Sequence, residues 1–156
     1  MKYSLDFKSR LVTEGAATVG QFLPKSKTEG NVEMLGASYA YSFFGPYGQG
    51  YNIGLYQSGN EVARFEYHWR EGGFIRVQSA MYESSRNALL CSKGSVGKTS
   101  FTDDGLTIEL SDLVPETERP TLLTLVALEV MWANQVGFTR TRAQQGVPTD
   151  AASRRG

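Results

Sequence analysis

Residues 121–136 read TLLTLVALEVMWANQV, and Gly137 follows. On a helix that advances 100° per residue, Leu122, Leu123, Leu125, Val126, Leu128, Val130, Met131 and Trp132 cover nearly the whole circumference. A helix that is apolar on every side has to be buried on every side, in a protein core or in a bilayer. Sixteen residues span ~24 Å, short of the ~30 Å hydrocarbon layer, and Glu129 interrupts the apolar run near its middle. The core is therefore predicted. Pro120 just inside the start, Gly137 just past the end, and acidic Glu116 and Glu118 near the first turn bound a helix over about 118–136.

What precedes this helix has the texture of β-structure. The chain has 17 glycines, 8 Tyr, 8 Phe and 2 Trp, with most of the aromatics before residue 83, as pleated strands joined by tight turns require. Tyr3, Leu5 and Phe7 alternate with Lys2, Ser4, Asp6 and Lys8, the period-two pattern of a half-buried strand. Over 32–43 the residues Leu35, Ala37, Tyr39, Tyr41 and Phe43 share a face; GPYGQG (45–50) is a turn, and Tyr51, Ile53 and Leu55 alternate again. SGN (58–60) joins YNIGLYQ to EVARFEYHWR as a hairpin, and EGG (71–73) turns the chain into FIRVQSAMY. ALLCS (88–92) and GLTIELS (105–111) add two more strands. Seven or eight clear strands emerge, whereas 13–31 is polar and small, and PKSKTEGN at its end reads as loop.

A β-meander ending in a helix that must be surrounded predicts a mainly β fold: a closed antiparallel barrel wrapped around one buried hydrophobic C-terminal helix. At 156 residues the chain forms one domain, 1–138, large enough for a core of its own. Residues 139–156 lack periodicity and are expected to be a flexible tail. Lys and Arg together number 16 and so do Asp and Glu, so no global field points to nucleic acid. The lone Cys91 excludes an internal disulfide and fits a reducing compartment, so a soluble cytoplasmic protein is expected. No stretch is long and apolar enough for a transmembrane helix.

The loudest motif is KGSVGKTS (93–100), close to a phosphate-binding loop. In the ordinary form the first glycine would fall at Ser92; in the variant form Lys93 is present but Ser95 replaces a glycine. Such a loop works by joining a strand to a helix N-terminus, whose N–H groups converge on phosphate. Here TSFTDDGLTIEL follows, a turn and a strand, so a glycine-bearing turn between strands is expected rather than a nucleotide cradle. His68, the only histidine, falls on the face opposite the aromatic residues, and no metal-ligand spacing or nucleophile elbow is present. No catalytic, cofactor-binding or metal-binding residue is therefore predicted. Glu129 is a buried-charge candidate that needs a partner, with Arg64, Arg76 or Arg86 the arginines considered. Arg64, Arg70, Arg76, Lys93 and Lys98 are candidates to gather on one face and contact an anion or a lipid head group.

Two stretches carry a family resemblance. YQSGNEVARFEYHW (56–69) and GLTIELSDLVPETERPTLLTLVALEVMWAN (105–134) follow the order strand–turn–strand, then strand, acidic loop and apolar helix. In this the chain resembles the tubby C-terminal-like superfamily, which includes the LURP-one-related proteins and the phospholipid scramblases. The resemblance implies a twelve-stranded barrel closed around a hydrophobic helix, and so further strands within 9–31 and 83–104. No cofactor is expected. The function expected is that of a non-enzymatic binding or scaffold protein, acting at a membrane surface or within a protein assembly. A small-ligand-binding barrel is the alternative, and a nucleotide-binding protein is the third.

Overall fold

The structure, a computed structural model, describes residues 1–77, 80–85 and 87–134. Twelve strands precede one helix: β1 (Lys2–Asp6), β2 (Leu11–Glu14), β3 (Ala17–Pro24), β4 (Glu29–Met34), β5 (Ala37–Phe44) and β6 (Gly50–Gln57) form the first half. The second comprises β7 (Asn60–His68), β8 (Gly72–Val77), β9 (Ala80–Ser85), β10 (Ala88–Cys91), β11 (Gly94–Phe101) and β12 (Gly105–Leu110). Each strand pairs antiparallel with the next, and β1 pairs with β12 from Lys2–Glu109 to Asp6–Gly105. The sheet is thus a closed up-and-down barrel with no free edge.

Alternation decides which side of each strand faces in. Tyr3, Leu5, Tyr41, Phe43, Ile53, Leu55, Phe65, Ile75, Leu106 and Ile108 are buried. Lys2, Ser4, Asp6, Glu33, Arg76 and Lys98, on the other face, are exposed. A membrane-spanning barrel has the reverse pattern, with an apolar band outside. Ser58 and Gly59 both take positive φ (52° and 81°), the backbone a tight two-residue hairpin needs between β6 and β7.

The interior is filled by α1 (Arg119–Asn134), with Leu122, Leu125, Leu128 and Met131 fully buried. Twelve strands at ~4.8 Å spacing and ~40° tilt close into a cylinder of ~12 Å radius. A helix with side chains, ~5 Å in radius, leaves room inside it for one layer of strand side chains. The void bounded by Tyr3, Leu5, Val12, Met34, Leu123 and Ala127 measures about 10 Å³. The helix begins at Arg119, one residue later than the 118 expected, because Glu116–Glu118 form a separate 3₁₀ turn; the expected end at 136 lies outside the described residues. Residues 135–156, including the expected tail, lie outside the described residues.

Up-and-down connectivity sorts the turns onto two ends. At the entry end, the Met1 ammonium donates to the Leu110 carbonyl (2.8 Å), and the Arg119 guanidinium approaches the Met1 sulfur (2.9 Å). Beside it the Tyr82 hydroxyl donates to the buried Glu118 carboxylate at 2.6 Å. Thr124, inside the barrel, donates its hydroxyl back to the Pro120 carbonyl (2.7 Å), so its polar group is satisfied within the helix. At the exit end the helix leaves among the β1–β2, β3–β4, β5–β6, β7–β8 and β11–β12 turns.

The segment 13–31 departs from expectation, since β2, β3 and β4 occupy most of it and only residues 25–28 of PKSKTEGN are turn. Inward positions there are held by Gly20 and Gly30, beside Met34 and Tyr41, whose side chains occupy the space a Cβ would need. Large inward residues of one strand thus substitute for the missing side chains of its neighbour.

Leu125 and Leu128 are wholly buried. Leu125→Asp or Leu128→Asp is expected to destabilise by ~4 kcal/mol or more and abolish cooperative melting in circular dichroism, whereas Leu125→Met should cost under ~1.5 kcal/mol. An aspartate variant melting like the parent would refute the filled barrel.

Candidate functional site

The five basic residues expected to gather on one face do not do so. Arg64 and Arg76 lie directly across from each other on β7 and β8, on the outside of the barrel. Arg64 binds Glu61 at 2.8 Å and approaches Glu66 at 3.8 Å; Arg76 shares Glu66 at 3.8 Å. The Arg64 guanidinium also lies 5.1 Å from the ring centre of Phe44. Lys98 is on β11, three strands from β8, or ~14 Å round the sheet, and faces Glu109 at 3.9 Å. Lys93 lies in the β10–β11 turn at the entry end, whereas Arg70 follows β7 at the exit end.

KGSVGKTS is only in part the turn expected. Ser92 and Lys93 make the turn, and Gly94–Phe101 is strand β11. Its glycines serve the sheet. Gly94 takes φ 102°, which closes the turn. Gly97 lies opposite a register shift in β10, where an added Cβ would fall 2.9 Å from the Glu109 carbonyl and 3.3 Å from the Leu89 Cβ. The helix N-terminus that a phosphate loop requires is replaced by a strand, and Lys98 points away along the outer face.

His68 ends β7 as an exposed rim residue. Cys91 is half-buried, its sulfur 3.4 Å from the Lys93 amide nitrogen. Among the described residues no group of three His, Cys, Asp or Glu side chains is placed to hold a metal. Nor is any helix long and apolar enough to cross a membrane.

The exit end is different in character. Four of the large apolar side chains left exposed, Leu23, Tyr47, Trp69 and Phe101, lie there, and Trp69 is 71% accessible. Among them, on the β1–β2, β3–β4 and β7–β8 turns, stand the exposed Lys8, Lys25, Lys27 and Arg70. Glu71 and, on the far arc, Asp103 and Asp104 are the acidic residues of the described turns at this end. The parity of turns in a meander placed PKSK, GPYGQ and WREG on one end, a signal present in the sequence that residue-by-residue reading did not use.

Beneath this rim is an aromatic cluster. Trp132, on the last turn of α1, stacks on Phe43 (4.4 Å between ring centres) and lies 6.4 Å from Tyr47 and 5.9 Å from Tyr51. Tyr51 continues to Tyr67 at 5.4 Å and to Phe65 at 5.9 Å. The Asn52 side-chain amide donates to the Gly45 carbonyl (3.2 Å), which pins the turn that carries Tyr47. Glu129, one turn before Trp132, is half-buried beside this cluster. Its expected arginine partner is not found: Arg64 and Arg76 are paired outside the barrel, and Arg86 lies outside the described residues. Glu129 takes part in none of the ion pairs among the described residues. Burial pushes its carboxyl up to about 7. The Tyr51 phenol is raised as well, by burial first, then by the Glu129 and Tyr67 charges.

Because the Glu129 value in the fold lies above the 4.5 of an ordinary carboxyl, the unfolded chain releases this proton first. This contribution to stability is present below about pH 4.5, falls as pH rises, and levels off above about pH 7. Glu129→Gln should remove that decline and raise stability at neutral pH by up to ~3 kcal/mol, read from melting curves at a series of pH values. Equal pH profiles for the two proteins would show that Glu129 is compensated. Compared with protein-family models, characterised proteins and solved structures, the chain matches none.

Proposed function

We propose that this chain is a non-enzymatic binding protein of tubby-like architecture that docks, by the exit end of its barrel, on an anionic membrane surface. The observation that carries the reading is the rim: Leu23, Tyr47 and Trp69 are exposed among Lys8, Lys25, Lys27 and Arg70. Amphipathic aromatic rings settle at the headgroup level of a bilayer, and lysines near an anionic surface contribute ~1 kcal/mol each.

Other features support the same reading. The twelve strands and the central helix agree with the architecture the resemblance implies. The helix already fills the interior, with Leu122, Leu125, Leu128 and Met131 fully buried, which argues against a small ligand carried inside the barrel. The strand that follows Lys93 argues against the nucleotide reading.

Sedimentation with phosphatidylserine-containing vesicles tests the proposal. The protein should bind these and not neutral vesicles, and binding should weaken with salt. Lys25→Glu with Lys27→Glu should weaken it by ~2 kcal/mol or more, and Trp69→Ser should weaken it further, with melting unchanged in each. Loss of binding on Lys93→Glu with Lys98→Glu, and indifference to the rim variants, would place docking elsewhere and overturn the reading.

A further inference from the structure

The end opposite the basic rim holds a cation that is poorly matched. Arg119, the first residue of α1, is only 9% accessible and takes part in none of the ion pairs among the described residues. Its buried Nε has no hydrogen-bond partner, and its Nη1 donates to the Met1 sulfur at 2.9 Å. The Tyr3 hydroxyl, on a fully buried side chain, donates to the same sulfur at 3.3 Å. A thioether is a weak acceptor, so two buried donors, one of them charged, share a poor partner. Met1 is fixed in place and yet reachable. Its nitrogen donates to the Leu110 carbonyl and its carbonyl accepts from the Leu110 amide, each at 2.8 Å, while the residue is 44% accessible.

We propose that Met1 is an oxidation site for hydroperoxides, and that its sulfoxide, rather than its thioether, is the form the entry end fits best. In the reaction a sulfur lone pair forms the S–O bond as the peroxide O–O bond breaks. Sulfur loses two electrons and the peroxide gains them; the proton on the transferred oxygen passes to the departing one, which leaves as water or an alcohol. The sulfoxide oxygen is a strong acceptor, and the Arg119 guanidinium and the Tyr3 hydroxyl already point at the place it takes. Met1 is unbranched and half on the surface, so its side chain can draw back far enough to make room. Methionine oxidation ordinarily loosens a protein, because it puts a polar group into an apolar setting. Around the Met1 sulfur the setting is donors short of an acceptor, and the sign reverses: oxidation ties β1 more firmly to the start of α1. Met81, 50% accessible on β9, has no such pair of donors among the described residues, and Met34 and Met131 are buried.

The test uses the full chain carrying Met81→Leu and Cys91→Ser, which leaves Met1 as the accessible sulfur. Hydrogen peroxide is added until peptide mass spectrometry shows oxygen on Met1 and none on Met34 or Met131, and melting is then followed by circular dichroism. Oxidation is expected to raise the melting temperature by about 3 °C, the effect of one good hydrogen bond in a domain of this size. Treatment with methionine sulfoxide reductase should return it to the starting value. Arg119→Leu should abolish the gain, and Tyr3→Phe, which removes only the hydroxyl, should cut it by about half. Tyr3→Phe keeps its ring in the core, so it gives a reading even where the Arg119 variant does not fold. Melting that is unchanged or lowered by oxidation, or a gain undiminished in these variants, would overturn the proposal. So would a Met1 that stays reduced in the parent chain while Met81 is oxidised.

Discussion

Everything in this protein follows from the need to bury a helix on all sides. A helix with one apolar stripe can lie on a sheet; Leu122, Leu123, Leu125, Val126, Leu128 and Met131 leave no side that tolerates water. A closed sheet is the arrangement that surrounds such a helix, and it also removes the free edges a meander would otherwise expose. Apart from Glu129 and Arg119, whose buried Nε has no hydrogen-bond partner, the helix makes few polar demands. Thr124 returns its hydroxyl to Pro120, and Thr121 bonds the Glu118 carbonyl at 3.0 Å. The interior that other barrels use for ligands is therefore already occupied, and recognition is left to the outer face and the two ends.

The ends are not equivalent, because the helix enters by one and leaves by the other. Entry is closed by contacts between distant parts of the chain: Met1 with Leu110 and Arg119, and Tyr82 with Glu118. A buried carboxylate is acceptable there because a phenol donates to it at 2.6 Å. At the exit Glu129 lies beside aromatic residues and takes part in none of the ion pairs among the described residues, so burial governs its carboxyl. The two glutamates, eleven residues apart in the numbering of one helical segment, thus meet opposite environments.

Legibility in the sequence tracked how the inward positions are filled. Strands with bulky inward residues, such as Tyr39, Tyr41 and Phe43 or Leu106, Ile108 and Leu110, announce themselves by alternation. β3, β4 and β11 do not, because Gly20, Gly30 and Gly97 stand where a neighbouring strand's side chain intrudes. In β11 the register shift also breaks the period, as Gly97 pairs with Leu89 and Ser95 with Leu90, so that Val96 is skipped. This is why KGSVGKTS reads as a phosphate loop: a turn glycine and a close-approach glycine fall three residues apart, the first at φ 102° and the second against the Glu109 carbonyl. The expected pairing of Glu129 with Arg64 or Arg76 fails for a parity reason. Even-numbered positions of β7 and β8 face out, across from each other, and an outward arginine cannot reach a carboxylate inside a barrel wall.

Position along the helix accounts for the acid within α1. Glu129 lies ten residues beyond Arg119, ~15 Å up the axis, near the level where the barrel opens. One or two turns earlier, at Leu125 or Leu122, a carboxylate would be walled in by strand side chains and no ion could approach it. At Glu129 burial pushes the carboxyl up to about 7, so its neutral form suits the apolar wall and its ionised form is the costly one. The apolar rule of the helix is thus broken only where the wrapped core gives way to the aromatic rim, since Leu122, Leu125 and Leu128 below it are wholly buried and a carboxyl among them would cost more.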